Sequence, residues 1–172
     1  MLDRVREAMF STLSRRIAGA RVLDLYAGSG SLGLEALSRG ASRARMIEKD
    51  PRAVTVLRRN VEELGLADRA EIVRGDALRR GLWVPLLTSE APDLAFLDPP
   101  YSSLEDGDTR GAILLAAAEL LRGVLRPGGC LVLHAPARGL EWLRIPGEWK
   151  PDARRYGGSG ILYLHKEEGA AK

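Results

Sequence analysis

The chain has one cysteine, Cys130, no glutamine and a single asparagine, Asn60, in 172 residues. A lone thiol excludes an internal disulfide framework and a thiol-based zinc cluster, so a reducing, cytoplasmic setting and no structural metal are expected. Cys130 itself reads as a core residue of its strand. The scarcity of Asn and Gln fits a thermophilic source. Long apolar runs are also missing. The longest, Ala112 to Ala118, is far shorter than the roughly 20 residues of a membrane-spanning helix, and no membrane partner is expected. The first residues, Met1 to Glu7, mix both charge signs and lack the apolar core of a signal peptide. Lysine is rare too: four lysines stand against 22 arginines, within a net charge of +3 and a pI near 9.3. Arginine's planar fork suits phosphate, although a GC-rich genome gives the same bias and net charge alone is a weak partner signal.

What is present is ordinary for a globular protein: 45% hydrophobic and 28% charged residues, enough to bury one core. A single domain over residues 1–172 is expected, with a helix in residues 1–19 and a frayed tail over about 167–172. Strand and helix signals alternate along the chain, which implies α/β with a mainly parallel sheet. Helices are expected over Asp3 to Ile17, Ser31 to Arg39, Pro51 to about Leu64, and Arg110 to Leu125. In the first, Val5, Met9, Phe10 and Leu13 form the apolar face and Asp3 is the expected cap. Strands are expected at Val22 to Leu25, Arg43 to Glu48, Ala70 to Arg74, Leu94 to Leu97, Cys130 to His134 and Gly160 to His165. Leu140 to Ala153, interrupted by Pro and Gly, reads as a short helix and a further strand. That makes seven strands.

Three motifs sit at strand ends, where open α/β sheets bind ligands. Gly28-Ser29-Gly30-Ser31-Leu32-Gly33 follows a strand and opens a helix, the context in which a G-x-G-x-x-G pattern has meaning. Glu48 ends the next strand, 20 residues beyond Gly28, where an acid can bind ribose hydroxyls. So far NAD, FAD and S-adenosylmethionine (SAM) all fit. Asp24, inside the first strand, needs a buried partner such as an ammonium group. Asp76 and Ala77 follow the third strand and can face an adenine, although Asp76 can equally cap a turn. An acid-rich lining suits a cationic sulfonium and would repel a pyrophosphate, which favours SAM. The third motif is Asp98-Pro99-Pro100-Tyr101. Proline ends the strand. An acid and a fixed carbonyl then accept hydrogen bonds from a planar amine, and a tyrosine ring can stack on its base. His134 ends the fifth strand near this crevice and reads either as a proton shuttle or as a packed or solvent-facing histidine. His165 has no acidic neighbour in sequence.

These residues carry a resemblance. Asp3 to Phe10, Val22 to Ala41, Glu48-Lys49-Asp50, Asp98 to Tyr101, and Tyr156-Gly157 look like the RsmD family of bacterial ribosomal RNA guanine-N2 methyltransferases. The resemblance implies a Rossmann-like class I SAM-dependent methyltransferase: a mostly parallel seven-stranded sheet with helices on both faces. It implies that Asp24, Ala27, Gly28, Ser29 and Gly30 hold the methionine part of SAM, Glu48 and Lys49 the ribose, and Asp76 and Ala77 the adenine. Asp98, Pro99, Pro100 and Tyr101 would hold a target guanine in 16S ribosomal RNA, within an assembled or assembling small subunit. S-adenosylhomocysteine would be the product, and no metal would be needed. Arg4 and Arg6 match the family's N-terminal motif. They, with Arg154, Arg155 and Tyr156, are the residues expected to meet RNA, and a monomer is expected. Two departures stand out. The family's short basic segment before the first-helix motif is absent, and Gly158-Ser159 follows Tyr156-Gly157 where a polar residue and Thr are usual. Rival readings are a methyltransferase on adenine N6 or a glutamine amide, a SAM-fold RNA-binding assembly factor without activity, and an NAD-dependent oxidoreductase.

Overall fold

The computed structural model describes residues 2–83 and 90–168. A seven-stranded sheet has the order β3-β2-β1-β4-β5-β7-β6. Its strands are β1 (Arg21–Leu25), β2 (Arg43–Glu48), β3 (Ala70–Arg74), β4 (Leu94–Leu97), β5 (Cys130–Pro136), β6 (Asp152–Tyr156) and β7 (Ser159–His165). The first five pair in parallel, while β7 runs antiparallel to both β5 and β6. Strand order reverses between β1 and β4, so a crevice opens at the carboxyl ends of these two strands.

Alternation along the strands sends side chains to two cores. Val22, Met46, Phe96, Val132 and Tyr163 face α1 (Asp3–Ile17), α2 (Ser31–Ser38) and α3 (Pro51–Glu63). Leu23, Leu25, Ile47, Leu97, Leu133 and Leu162 face α5 (Gly107–Glu119) and the buried Trp83. The expected α/β architecture with helices on both faces is therefore the one observed. Helix α1 buries Val5, Met9, Phe10, Leu13 and Ile17 at helical spacing. Helix α3 starts as its sequence suggests, with Pro51 in its first turn and the Asp50 carboxylate accepting from Arg52 N–H at 2.8 Å. No helix among the described residues is long and apolar enough to cross a membrane.

Four expectations need correction. Asp3 is not the cap of α1: Leu2 is, without a side-chain bond, and Asp3 sits in the first turn, where its carboxylate pairs with Arg6 at 3.0 Å. The helix after β4 starts earlier than Arg110, because Asp106 caps it by accepting from Thr109 N–H at 2.8 Å. It then loosens into a π-helical turn over Leu120–Val124 before Pro127. A further short helix, α4 (Tyr101–Glu105), follows the two prolines directly. Finally, no strand lies wholly within Leu140 to Ala153. A 3-10 turn over Ala137–Trp142 comes first, and the strand starts only after Pro151, since proline supplies no ladder donor. Of the expected tail, residues 169–172 lie outside the described residues.

Helix α2 approaches the sheet more closely than a side chain would allow. A Cβ on Gly33 would lie 2.6 Å from Met46 Sδ and 3.2 Å from an Asp24 carboxylate oxygen. Both neighbours are buried. Gly33→Ala is therefore expected to lower stability by about 1–3 kcal/mol through overpacking, measurable as a shift of the urea midpoint at unchanged m-value.

Candidate active site

The loop from β1 to α2 makes the crevice. Tyr26 takes a left-handed conformation with φ of 74°, rare for a bulky residue, and Gly30 follows at 92°. A Cβ on Gly30 would stand 2.4 Å from Leu57 Cδ1, so only glycine fits where the loop enters α2. The loop backbone is thereby exposed to a cleft of about 800 Å³. Tyr26, Ala27, Gly28 and Ser29 line one side, Glu48 and Lys49 a second, and Asp98 to Tyr101 the facing wall. Leu2 at the start of α1, Gly158 in the turn after β6, and Ser159 at the start of β7 form further parts of the lining.

Glu48 is held rigidly: Oε2 accepts from Gly28 N–H and Oε1 from Asp50 N–H, each at 2.8 Å. Each oxygen keeps a second lone pair for a ligand hydroxyl. Asp24 lies beneath the glycine loop, 1% exposed. Its Oδ2 accepts from Gly33 N–H at 2.9 Å, while its Oδ1 is buried with no hydrogen-bond partner. Burial pushes its pKa up to about 7, opposed by the Gly33 bond and reinforced by the charges of Asp98 and Glu48. A buried carboxylate with one orphaned oxygen is costly without a cation beside it; neither Asp24 nor Gly30 is among the residues lining the cleft. Ala77 lines the cleft, whereas Asp76 does not: its carboxylate accepts from Leu78 N–H at 2.9 Å and closes a local turn. Burial and the charge of Asp76 push the Tyr26 phenol up to about 12, so this ring stays neutral.

The facing wall carries a network only half anticipated by the sequence. His134 is neither solvent-facing nor merely packed: its Nδ1 lies 2.7 Å from Asp98 Oδ1. On its other side Nε2 lies 3.2 Å from the Tyr101 hydroxyl, which is 3.1 Å from Ser159 Oγ. Ser159, where a Thr was usual, thus supplies a hydroxyl to the site. Sequence reasoning left Ser159 unassigned. The signal that could have raised the weight of His134 is its parity with Cys130 and Val132, which puts a polar side chain on the inner face of a buried strand.

The arginines expected to meet RNA divide. Arg154 is used internally: it pairs with Asp152 at 2.8 Å, donates to Thr12 Oγ1 at 2.8 Å and lies over the Tyr163 ring. Arg155 keeps only a long pair with Glu141, at 3.5 Å between two exposed side chains, and a bond to the Ala137 carbonyl. Arg6 is tied to Asp3, whereas Arg4 is exposed on α1. Tyr156 is half-buried against the core beneath α1. Cys130 is buried, and burial pushes its thiol up to about 12, in keeping with an inert core residue. Among the described residues no group of three or more His, Cys, Asp or Glu is placed to hold a metal ion.

The model of the family described as "Conserved hypothetical protein 95" matches residues 1–165. The chain belongs to this family. Its resemblance to RsmD holds in direct comparison. It is 41% identical over 100 residues to "Ribosomal RNA small subunit methyltransferase D" of Escherichia coli, covering 58% of this chain and 48% of that protein. It is 36% identical over 99 residues to the protein of that name in Buchnera aphidicola, covering 58% and 50%. The chain thus spans about half the length of these curated relatives. A solved structure titled "Putative methyltransferase yhhF from Escherichia coli" superposes with a TM-score of 0.74 at 29% identity, covering 96% of this chain and 86% of that one. The fold of this family member is the Rossmann-like class I methyltransferase fold.

The raised Asp24 pKa has a definite sign. The folded value, about 7, exceeds the unfolded carboxylate value of 3.8. Between these values the folded chain holds a proton that the unfolded chain has released, so stability falls as pH rises from about 4 to about 7 and then levels. Asp24→Asn is expected to abolish this fall and to weaken SAM binding. Thermal melts of the ligand-free protein at pH 5 and pH 8, with calorimetric titration of SAM, check both.

Proposed function

We propose that this protein transfers a methyl group from SAM to the exocyclic N2 of a guanine in small-subunit ribosomal RNA. The observation that carries the reading is the wall Asp98-Pro99-Pro100-Tyr101 facing the Gly28–Glu48 side of one cleft. The names of the curated relatives support the RNA substrate. Asp24, Ala27, Gly28, Ser29 and Gly30 would hold the methionine part, Glu48 and Lys49 the ribose, and Ala77, with the turn that Asp76 closes, the adenine. When bound, SAM supplies an electrophilic methyl carbon.

The chain's own residues do the rest. A guanine amine is a weak nucleophile because its lone pair is delocalised into the ring. Asp98 and the Pro99 carbonyl accept its two N–H bonds and turn the lone pair toward the methyl group. The Pro100 carbonyl is already taken by Ser103 N–H at 2.9 Å. Tyr101, 39% exposed, offers a ring face to an extruded base. The methyl carbon would pass to the amine with its former bonding pair left on sulfur, and the nitrogen would shed one proton to Asp98. Alignment is the main requirement, and it can be worth about 7–11 kcal/mol.

The substrate is a ribosomal particle, assembled or assembling, rather than naked RNA. Among the described basic side chains Lys49 lines the cleft, Arg4 is exposed on α1 and Arg155 is weakly held by Glu141 and the Ala137 carbonyl, so a pre-shaped RNA surface must supply much of the recognition. Initial rates on small subunits, naked RNA and a short hairpin at matched salt test this, and equal rates on all three would remove the particle from the proposal. For the chemistry, Asp98→Ala is expected to lower turnover roughly 10²–10⁴-fold with SAM affinity kept. Glu48→Ala is expected to weaken SAM by about 1.5–3 kcal/mol. Labelled-methyl transfer followed by nucleoside mass spectrometry reads the first, and calorimetry the second.

A further inference from the structure

We propose that His134 is the positioning residue that sets Asp98 for the substrate amine, with Tyr101 and Ser159 completing a single hydrogen-bonded chain. The proposal rests on the reading of Asp98 as the amine acceptor and adds how that carboxylate is held. Strand register brings the two residues together. Leu97 pairs with Leu133 across the parallel β4–β5 ladder, so Asp98 and His134 are the next neighbours beyond it, where the prolines end the pairing. Asp98 shares parity with Phe96, and His134 with Val132, so both side chains leave the same face of the sheet. The β5–β7 ladder pairs Pro136 with Ser159, which puts the serine hydroxyl at the end of the chain.

The protons in this chain have one arrangement that leaves the ionised carboxylate with a donor and the ring neutral. An ionised carboxylate only accepts, so the 2.7 Å contact requires a proton on His134 Nδ1. In the neutral ring Nε2 is then a lone pair, and the Tyr101 hydroxyl donates to it across 3.2 Å. The Tyr101 oxygen in turn accepts from Ser159 across 3.1 Å. Each donor has one acceptor, and no lone pair faces another. The His134 side chain is 3% exposed against 20% for Asp98, so the ring is fixed inside while the carboxylate reaches the cleft. With Oδ1 engaged by His134, Oδ2 is the oxygen left for the amine. The same chain fixes the Tyr101 ring, since its hydroxyl is anchored at two points while its face borders the cleft. One histidine thereby orients both groups that are to hold the base. An unoriented carboxylate would sample rotamers that miss the amine, at a cost that appears in turnover rather than in cofactor binding.

The test separates the two ends of the ring. The amide nitrogen of asparagine can stand near the place of Nδ1, and that of glutamine near the place of Nε2. His134→Asn is expected to keep clearly more turnover than His134→Gln, because the bond to Asp98 survives while the one to Tyr101 is lost. His134→Gln is expected to lose about ten- to hundredfold in kcat, the range of a lost hydrogen bond to a charged group. SAM affinity by calorimetry is expected to be unchanged in both. The second readout needs neither cofactor nor RNA. The chain has two histidines, so the 15N spectrum of the ligand-free protein resolves the tautomer of each. His134 is expected to carry its proton on Nδ1 with Nε2 unprotonated, and Asp98→Ala to release it to the mixture seen in free imidazoles. A proton on Nε2 in the wild type, or equal kcat in the Asn and Gln variants, overturns the proposal. A wild-type chain inactive on every RNA would instead sink the methyltransferase reading, while the tautomer measurement would still decide the Asp98–His134 bond.

Discussion

The bond from Gly33 N–H to the Asp24 carboxylate is the interaction on which the rest of the site depends. It crosses the interface between β1 and the helix that follows it, and it forms only because Gly33 has no side chain. It draws the start of α2 onto β1. The connecting residues are thereby forced into a tight turn with Tyr26 and Gly30 at positive φ. That turn exposes the loop backbone and brings Gly28 N–H onto Glu48. Three parts of the cleft therefore take their places from one buried carboxylate.

The arrangement costs stability. Asp24 is buried with an orphaned oxygen, its pKa stands near 7, and two further acids lie close enough to raise it. A well-packed apolar residue would serve the ligand-free fold better. The strained Tyr26 adds a second cost of about 1–3 kcal/mol. Unfavourable local terms gathered around one cleft mark a site organised for a cationic ligand, because such a ligand relieves the acids at the moment it binds. The opposite wall follows another logic. There the polar groups are satisfied in series, from Asp98 through His134 and Tyr101 to Ser159, and a fully satisfied network in a low-dielectric interior is rigid. One wall waits for a charge, and the other is already set in shape.

Much of the fold was legible in the sequence. Alternating periodicities, the glycine turn before α2, Pro51 in the first turn of α3 and the proline stop after β4 are local signals, and they placed nearly every strand and the first three helices. The errors fell where local signals compete. Gly107 and Gly111 masked the start of α5, and the prolines near β6 blurred its onset. The glycine loop, Glu48 and the Asp98 to Tyr101 wall could be listed as candidates because each sits next to a strand end that the sequence already marks.

Other properties of the site were decided by tertiary structure alone. Whether Asp76 faced a ligand or closed its own turn depended on a loop geometry that no spacing encodes. Arg154 and Arg155 look alike as neighbours in sequence, yet strand alternation turns one inward onto Asp152 and Thr12 and leaves the other at the surface. The role of His134 rests on partners 33, 36 and 58 positions apart along the chain (Tyr101 to His134, Asp98 to His134, Tyr101 to Ser159). The sequence by itself determined which residues could bear the chemistry, since residue type and local turn preference are written there directly. Only the packed sheet decided which of them meet, because strand register and side-chain parity are set by the burial of both faces at once.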